Sequence, residues 1–175
     1  SPPDGHTLLM AFTSHVTNPS LYPKLPYDTV RDFAPVTMIA TIPNVLVLHP
    51  SVPADSLSAL VTLAKKKQLS FASTGSGASS HLAGILLAHL TGTKLLHVPY
   101  KGAGPAITGV LSAETDLMFA TMVSILPQVK SGKLRALGVT GTRRSPAAPE
   151  LPTVSEAGVA GYEANAWFAT YTAAR

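Results

Sequence analysis

Residues 71 to 84, FASTGSGASSHLAG, bring serine, threonine, glycine and histidine into one short stretch. Several chemistries use such residues, and spacing separates them. A dinucleotide fingerprint needs Gly-x-Gly-x-x-Gly or Ala at a strand-to-helix turn, with an acid about 20 residues further on. Here Ser80 stands at the third small position, and no Asp or Glu occurs between Asp55 and Glu114. A phosphate-binding P-loop needs Gly-Lys-Ser/Thr, which does not follow. A nucleophile elbow needs Gly-x-Ser-x-Gly, whereas Ser76 lies directly between Gly75 and Gly77. Paired zinc ligands on one helix face sit about four residues apart, but His81 and His89 are twice that distance apart and lack a companion carboxylate. The reading left standing needs no reaction. Small residues at Ser73, Thr74, Gly75, Ser76 and Gly77 would let the backbone N–H groups from Thr74 to Ser80 face a cavity, and the start of the next helix adds partial positive charge. That arrangement accepts a carboxylate. A plain tight turn with a helix cap is the other use of the same residues.

A second loop repeats the pattern. HVPYKGAGPAITG, residues 97 to 109, is again a strand, a glycine-containing loop and a helix start, which makes Lys101, Gly102 and Ala103 candidates beside the same anion. Lys101 is either a point charge near the guest or a solvent-facing lysine. The net charge of +4 is unevenly spread: the stretch without acids carries Lys65, Lys66, Lys67, Lys94 and Lys101. Such a segment favours an anionic partner, although the three consecutive lysines also suit a solvated helix end.

Composition narrows the classes further. With 175 residues, 46% hydrophobic and 13% charged, the chain has material for a packed core and is not of disordered type. It has no cysteine, which excludes disulfides and thiolate metal sites and is compatible with an oxidising compartment. No cofactor or metal is expected. Aromatics are only 6% and are not interleaved with Lys or Arg, so no nucleic-acid partner is expected either. An α/β oxidoreductase or hydrolase using the Gly/Ser loop is the rival class; it needs a general base, and the central region offers only histidines.

These residues must be held by elements that can be traced along the chain. HTLLMAF reads as a short buried strand, and NPSLYPKLPYD as a proline-marked turn or broken helix. FAPVTMIA and NVLVLHP read as two strands separated at TIPN, where Pro43 interrupts pairing. Ser56 is placed to cap the helix LSALVTLAKKK, whose Leu57, Leu60, Val61 and Leu63 give an apolar face. LSFAS, KLLHVPY, TDLMFA and KLRALGV read as further strands, separated by helices near 79 to 90, from Pro105, and up to Gly132. Alternation with short connections predicts an α/β fold around a largely parallel sheet, with any ligand at the carboxyl ends of the strands. TGTRRSPAAPELPT is the most linker-like segment.

Several of these stretches, in this order, resemble the solute receptors of tripartite tricarboxylate transporters, the TctC or Bug family. They are PDGHTLLM, NPSLYPKLPYD, DFAPVTMIATIPNVLVLHPSVPA, LSFASTGSGASSHLAG, HVPYKGAGPAITGVL and GKLRALGVTGTRRSPAAPELPTVSEAGVAGYEANAWF. The resemblance implies a periplasmic binding protein of type II, a Venus flytrap of two α/β lobes that encloses a small carboxylate and passes it to membrane transporter subunits or a sensor. It implies no catalysis. It adds Pro43, Asn44 and the FATM loop to the candidates above. It also implies a fragment, with a partial first lobe at 1–40, a complete second lobe at 41–142, and a return crossover with more of the first lobe at 143–175. Weak carboxylate affinity and homo-association through open strand edges are then expected. The family usually has a glutamate where Ile85 stands and a polar residue where Ala120 stands; the alanine points to a more apolar guest.

Overall fold

The computed structural model describes residue 2 and residues 4–174; Ser1 and Arg175, the outer limits of the expected lobe spans, and Pro3 of the PDGHTLLM stretch lie outside the described residues. In chain order the elements are β1 (Leu9–Phe12), α1 (Thr13–Leu21), β2 (Phe33–Leu48), α2 (Leu57–Lys66), β3 (Leu69–Ser73) and α3 (Ser79–Thr91). They continue with β4 (Leu95–Pro99), α4 (Ala103–Leu111), β5 (Leu117–Thr121), α5 (Met122–Lys130), β6 (Arg135–Val139) and β7 (Asn165–Ala173). Strands and helices alternate as expected, but around two sheets. One runs β1–β7–β2 and is antiparallel throughout. The other runs β6–β2–β5–β3–β4, with β3 parallel to both β4 and β5 and with β2 opposed to β5 and β6.

β2 is where the sequence and the structure differ most usefully. The expected break at Pro43 does not occur, and one strand of 16 residues runs through it. Pro43 pairs with Asn165 of β7, and the next residue, Asn44, pairs with Thr121 of β5. Proline has no N–H to give a ladder, so it is tolerated where the strand leaves one set of neighbours for another. The proline marks a change of partners and not an end.

The β6–β4 sheet carries the core on both faces. Leu46, Leu48, Phe71, Leu117 and Phe119 pack against α2 and α3 on one side. Val45, Val47, Ala72, Met118 and Ala120 pack with Val110 of α4 and Ile125 of α5 on the other. Alternate residues of one strand thus reach opposite layers, as the period of two requires, and a strand covered on both sides reads as a continuous apolar run. On α2 the expected Ser56 cap is present, its Oγ accepting the N–H of Ala59 at 3.3 Å, and Lys65 and Lys66 occupy the last turn.

The smaller sheet corrects two expectations. β1 is not a buried strand, because it is an edge strand pairing only with β7; Ala11 is buried, while Leu9, Met10 and Phe12 are 41%, 53% and 49% exposed. α1 begins at Thr13, directly after β1, and takes Pro19 inside it, where a turn or broken helix is expected only from Asn18 onward.

Candidate functional site

Four strand-to-helix junctions meet around one cleft between the two sheets, of about 530 Å³. β1 passes into α1 at Phe12 and Thr13, and β5 into α5 at Thr121 and Met122, with no loop at all. β3 reaches α3 through the Gly/Ser loop, and β4 reaches α4 through Tyr100, Lys101 and Gly102. The residues preceding these helices are Phe12, Ala78, Gly102 and Thr121, and none of them supplies a side-chain cap. The first N–H groups of a helix have no partner within it, and together with the helix dipole they favour negative charge. α2, by contrast, is capped by its own serine. The four helices that open on the cleft keep their amide ends uncapped.

The Gly/Ser loop is organised differently from the expectation of a fan of free amides. Thr74 N–H donates to Ser80 Oγ at 3.0 Å, Gly75 N–H to Ser73 Oγ at 3.2 Å, and Gly77 N–H to His81 Nδ1 at 3.1 Å. Ala78 N–H goes to the Gly75 carbonyl. Four of the amides expected to face a guest are therefore spent inside the loop: Ser80 and His81 fold back over it from the first turn of α3, Ser73 reaches forward from the end of β3, and the Gly75 carbonyl takes the fourth. The donors left at this corner are at the helix end itself, around Ser79. Gly102 N–H bonds the Thr74 carbonyl and ties the two loops side by side.

Beneath the loop the rings of Phe71, His97 and His81 stack, with the two imidazole centroids 3.9 Å apart. His97 Nε2 lies 2.6 Å from Ser73 Oγ. Burial, and then the neighbouring His81, push His97 down to about 4, and burial lowers His81 as well. Both rings are neutral near pH 7. Since Nδ1 of His81 accepts from Gly77, its proton sits on Nε2.

The ten candidate residues separate into two groups by position. Asn44, Thr74, Gly102 and Ala103 line the cleft. Ser73 is fully buried with its hydroxyl held by His97 and Gly75. Gly75 and Ser76 form the turn outside the lining, and Lys101 is solvent-exposed. Pro43 lies one residue before the lining residue Asn44. Gly77 faces α1: its φ is +79°, its carbonyl accepts from Thr17 Oγ1 at 2.9 Å, and a Cβ there would meet that oxygen at 2.7 Å. Of the FATM loop, Phe119, Ala120 and Thr121 line the cleft, whereas Ile85 faces a different groove. Sequence reasoning missed Phe12, Thr13 and Ser14 from the β1–α1 junction, and Ala166, Trp167 and Phe168 from β7. The signal for β7 lay in the alternation of NAWFATYTA; the junction gave none, since a strand running into a helix leaves no turn residues to see.

No charged side chain lines the cleft among the described residues, and no group of three His, Cys, Asp or Glu among them could hold a metal ion. What the arrangement can do is hold an anion against amide dipoles with apolar walls around it.

The sequence matches the family described as "Tripartite tricarboxylate transporter family receptor" (TctC) over residues 1–175. It is 42% identical, over 95% of its own length and 51% of the relative's, to the "UPF0065 protein in tcbD-tcbE intergenic region" of Pseudomonas sp. strain P51. Among solved structures it resembles R. palustris Rpa4515 with adipate at TM-score 0.93 and 33% identity, covering 99% of this chain and 59% of that one. The periplasmic binding protein BugD gives TM-score 0.91 and 33% identity with the same coverage, 99% and 59%. The chain thus spans about half the length of the curated relatives it matches. By sequence over its whole length and by fold, the chain belongs to the TctC family of solute receptors.

Proposed function

We propose that the chain is part of a periplasmic solute receptor that captures a small carboxylate in this cleft and hands it to the membrane subunits of a tripartite tricarboxylate-type transporter, without transforming it. Residues 41–142 form its second lobe, and 1–40 and 143–175 belong to the first. The observation carrying this is that the helices opening on the cleft lack side-chain caps while α2 has one. A carboxylate oxygen takes the place of the missing caps, its negative charge met by the helix-end amides where no cationic side chain among the described residues lines the cleft. Thr74, Gly102, Ala103 and Asn44 are the second-lobe candidates for contact, with Thr13 and Ser14 facing them from the first. The lobe limits are supported by the change of partners at Pro43 and Asn44, and by Thr140, whose hydroxyl accepts the Asn44 N–H at 2.8 Å just where the chain turns back. Adipate in the R. palustris relative is a guest of the proposed kind.

Trp167 is the sole tryptophan and lines the cleft, so its fluorescence reports occupancy. Titration of the chain with adipate is expected to give a saturable change, and titration with adipamide, equal in length but uncharged, is expected to give none. A diamide response equal to that of the acid, or no saturable response to the acid, would overturn the proposal.

A further inference from the structure

We propose that Thr17 is a closing latch: without touching the guest, its hydroxyl ties α1 to the Gly/Ser loop and sets how long the cleft holds what it has captured. This rests on the two-lobed receptor function proposed above and names a positioning residue for it.

The bond joins parts of the chain that belong to different sheets. Thr17 lies on α1, which continues β1 of the smaller sheet, and Gly77 lies in the loop that follows β3 of the larger one. Thr17 Oγ1 donates to the Gly77 carbonyl at 2.9 Å, across 60 positions of sequence. Among the described residues it is the only hydrogen bond from α1 to the larger sheet or its loops. Neither Thr17 nor Gly77 lines the cleft, whereas Thr13, one turn earlier on α1, and Thr74 and Ala78 of the loop do. The bond stands beside the guest and not against it.

The loop presents that carbonyl firmly. The Ala78 N–H belongs to the same peptide unit, and its bond to the Gly75 carbonyl turns it into the loop. In a trans peptide the C=O points the opposite way, here outward to α1. The Gly77 N–H, held by His81 Nδ1 at 3.1 Å, fixes the preceding unit. Amides withdrawn from the guest thus make a rigid seat for Thr17. The seat requires glycine: φ is +79°, and a Cβ would come within 2.7 Å of Thr17 Oγ1 and 2.8 Å of Leu21 Cδ1. Release is provided for as well. A threonine hydroxyl has one proton, and the carbonyls of Ser14 and Thr13 stand 3.3 Å and 3.5 Å from Oγ1. When α1 and the loop separate, the proton turns to these carbonyls. No donor is stranded, and the catch stays weak enough to open.

The test follows adipate on the 175-residue chain through Trp167 fluorescence, at equilibrium and by stopped flow. Thr17→Val keeps the shape of the side chain and removes its donor. It is expected to raise the adipate Kd about fivefold, the scale of one neutral hydrogen bond, with nearly all of the change in the dissociation rate. Thr17→Ser should return most of it. An unchanged Kd, a loss carried by the association rate, or no rescue by serine would overturn the latch and leave the carboxylate function standing. No saturable response from the parent chain would overturn both. A second variant reads the contact directly. A Cβ at Gly77 would lie 3.7 Å from that of Thr17, a disulfide separation, and the chain has no cysteine of its own. Oxidised Thr17→Cys/Gly77→Cys is expected to link within one chain and to release adipate at least about tenfold more slowly, with dithiothreitol restoring the rate. Failure to link in a variant with the parent circular-dichroism spectrum, or release as fast as the parent's from the linked form, would refute the latch; if that spectrum is lost, the valine and serine variants decide.

Discussion

Acidification should unlock the Gly/Ser loop before it unfolds the rest of the molecule. The titrating elements are the stacked His81 and His97, both neutral in the fold and both lowered by burial, His97 to about 4 from 6.5. A histidine depressed in the native state binds fewer protons there than in the unfolded chain, so its contribution is complete above about pH 6.5 and is lost as pH falls towards 4. A fall of that size corresponds to about 3 kcal/mol at ~1.36 kcal/mol per pH unit. Because the rings are only partly shielded from water, about 1–2 kcal/mol of it should be realised. The structural cost is specific. A proton on His81 Nδ1 removes the acceptor of the Gly77 N–H, and two imidazolium rings would stand 3.9 Å apart. The assay is urea unfolding followed by far-UV circular dichroism at several pH values between about 7 and 4.5. The wild-type midpoint should fall across this range, and the His81→Gln/His97→Gln double variant should fall much less. His15, also lowered by burial, adds a decline of the same sign to both proteins, so the difference between the two slopes is the informative quantity. Parallel slopes would refute the assignment.

Two further outcomes follow from packing. Gly84→Ala places a methyl group against the ring of Phe71. The helix-propensity gain of ~1 kcal/mol should be outweighed by overpacking against a fully buried ring, for a net loss of about 1–2 kcal/mol in urea unfolding; a more stable variant would contradict this. Tyr162→Phe removes a buried hydroxyl that donates to the Ala83 carbonyl at 2.8 Å and anchors the returning chain on α3. A loss of about 1 kcal/mol is expected, read as a lowered urea midpoint, and an unchanged midpoint would show the bond to be idle.

What the sequence discloses depends on how local its causes are. α2 is legible because its cap, apolar face and terminal lysines lie within a dozen consecutive residues. β3, β5 and β6 are legible as apolar runs between turn residues. The convergence of helix ends on one cleft follows from strand-to-helix alternation, and the family resemblance follows from the ordered stretches that carry it. Other features are decided at a distance. Pro43 looks like a break until β7, far along the chain, supplies a partner for it. The exposure of β1 depends on having a single neighbour. Counting small residues from Ser73 to Gly77 identifies a loop that can open its amides, but whether they stay open depends on where Ser80 and His81 send their side chains. Phe12 and Phe168 are adjacent only because β1 and β7 pair.

The uninterrupted course of β2 has a mechanical corollary. A segment woven into both sheets transmits torque between them, much as a shaft joins two wheels, whereas a flexible tether would let each turn alone. Any rotation of one layer against the other must be absorbed as twist along Thr41 to Val45, the short length over which the strand changes companions. Cleft width is therefore governed by the torsional stiffness of a handful of backbone bonds, one of them, the N–Cα bond of Pro43, made rigid by a pyrrolidine ring.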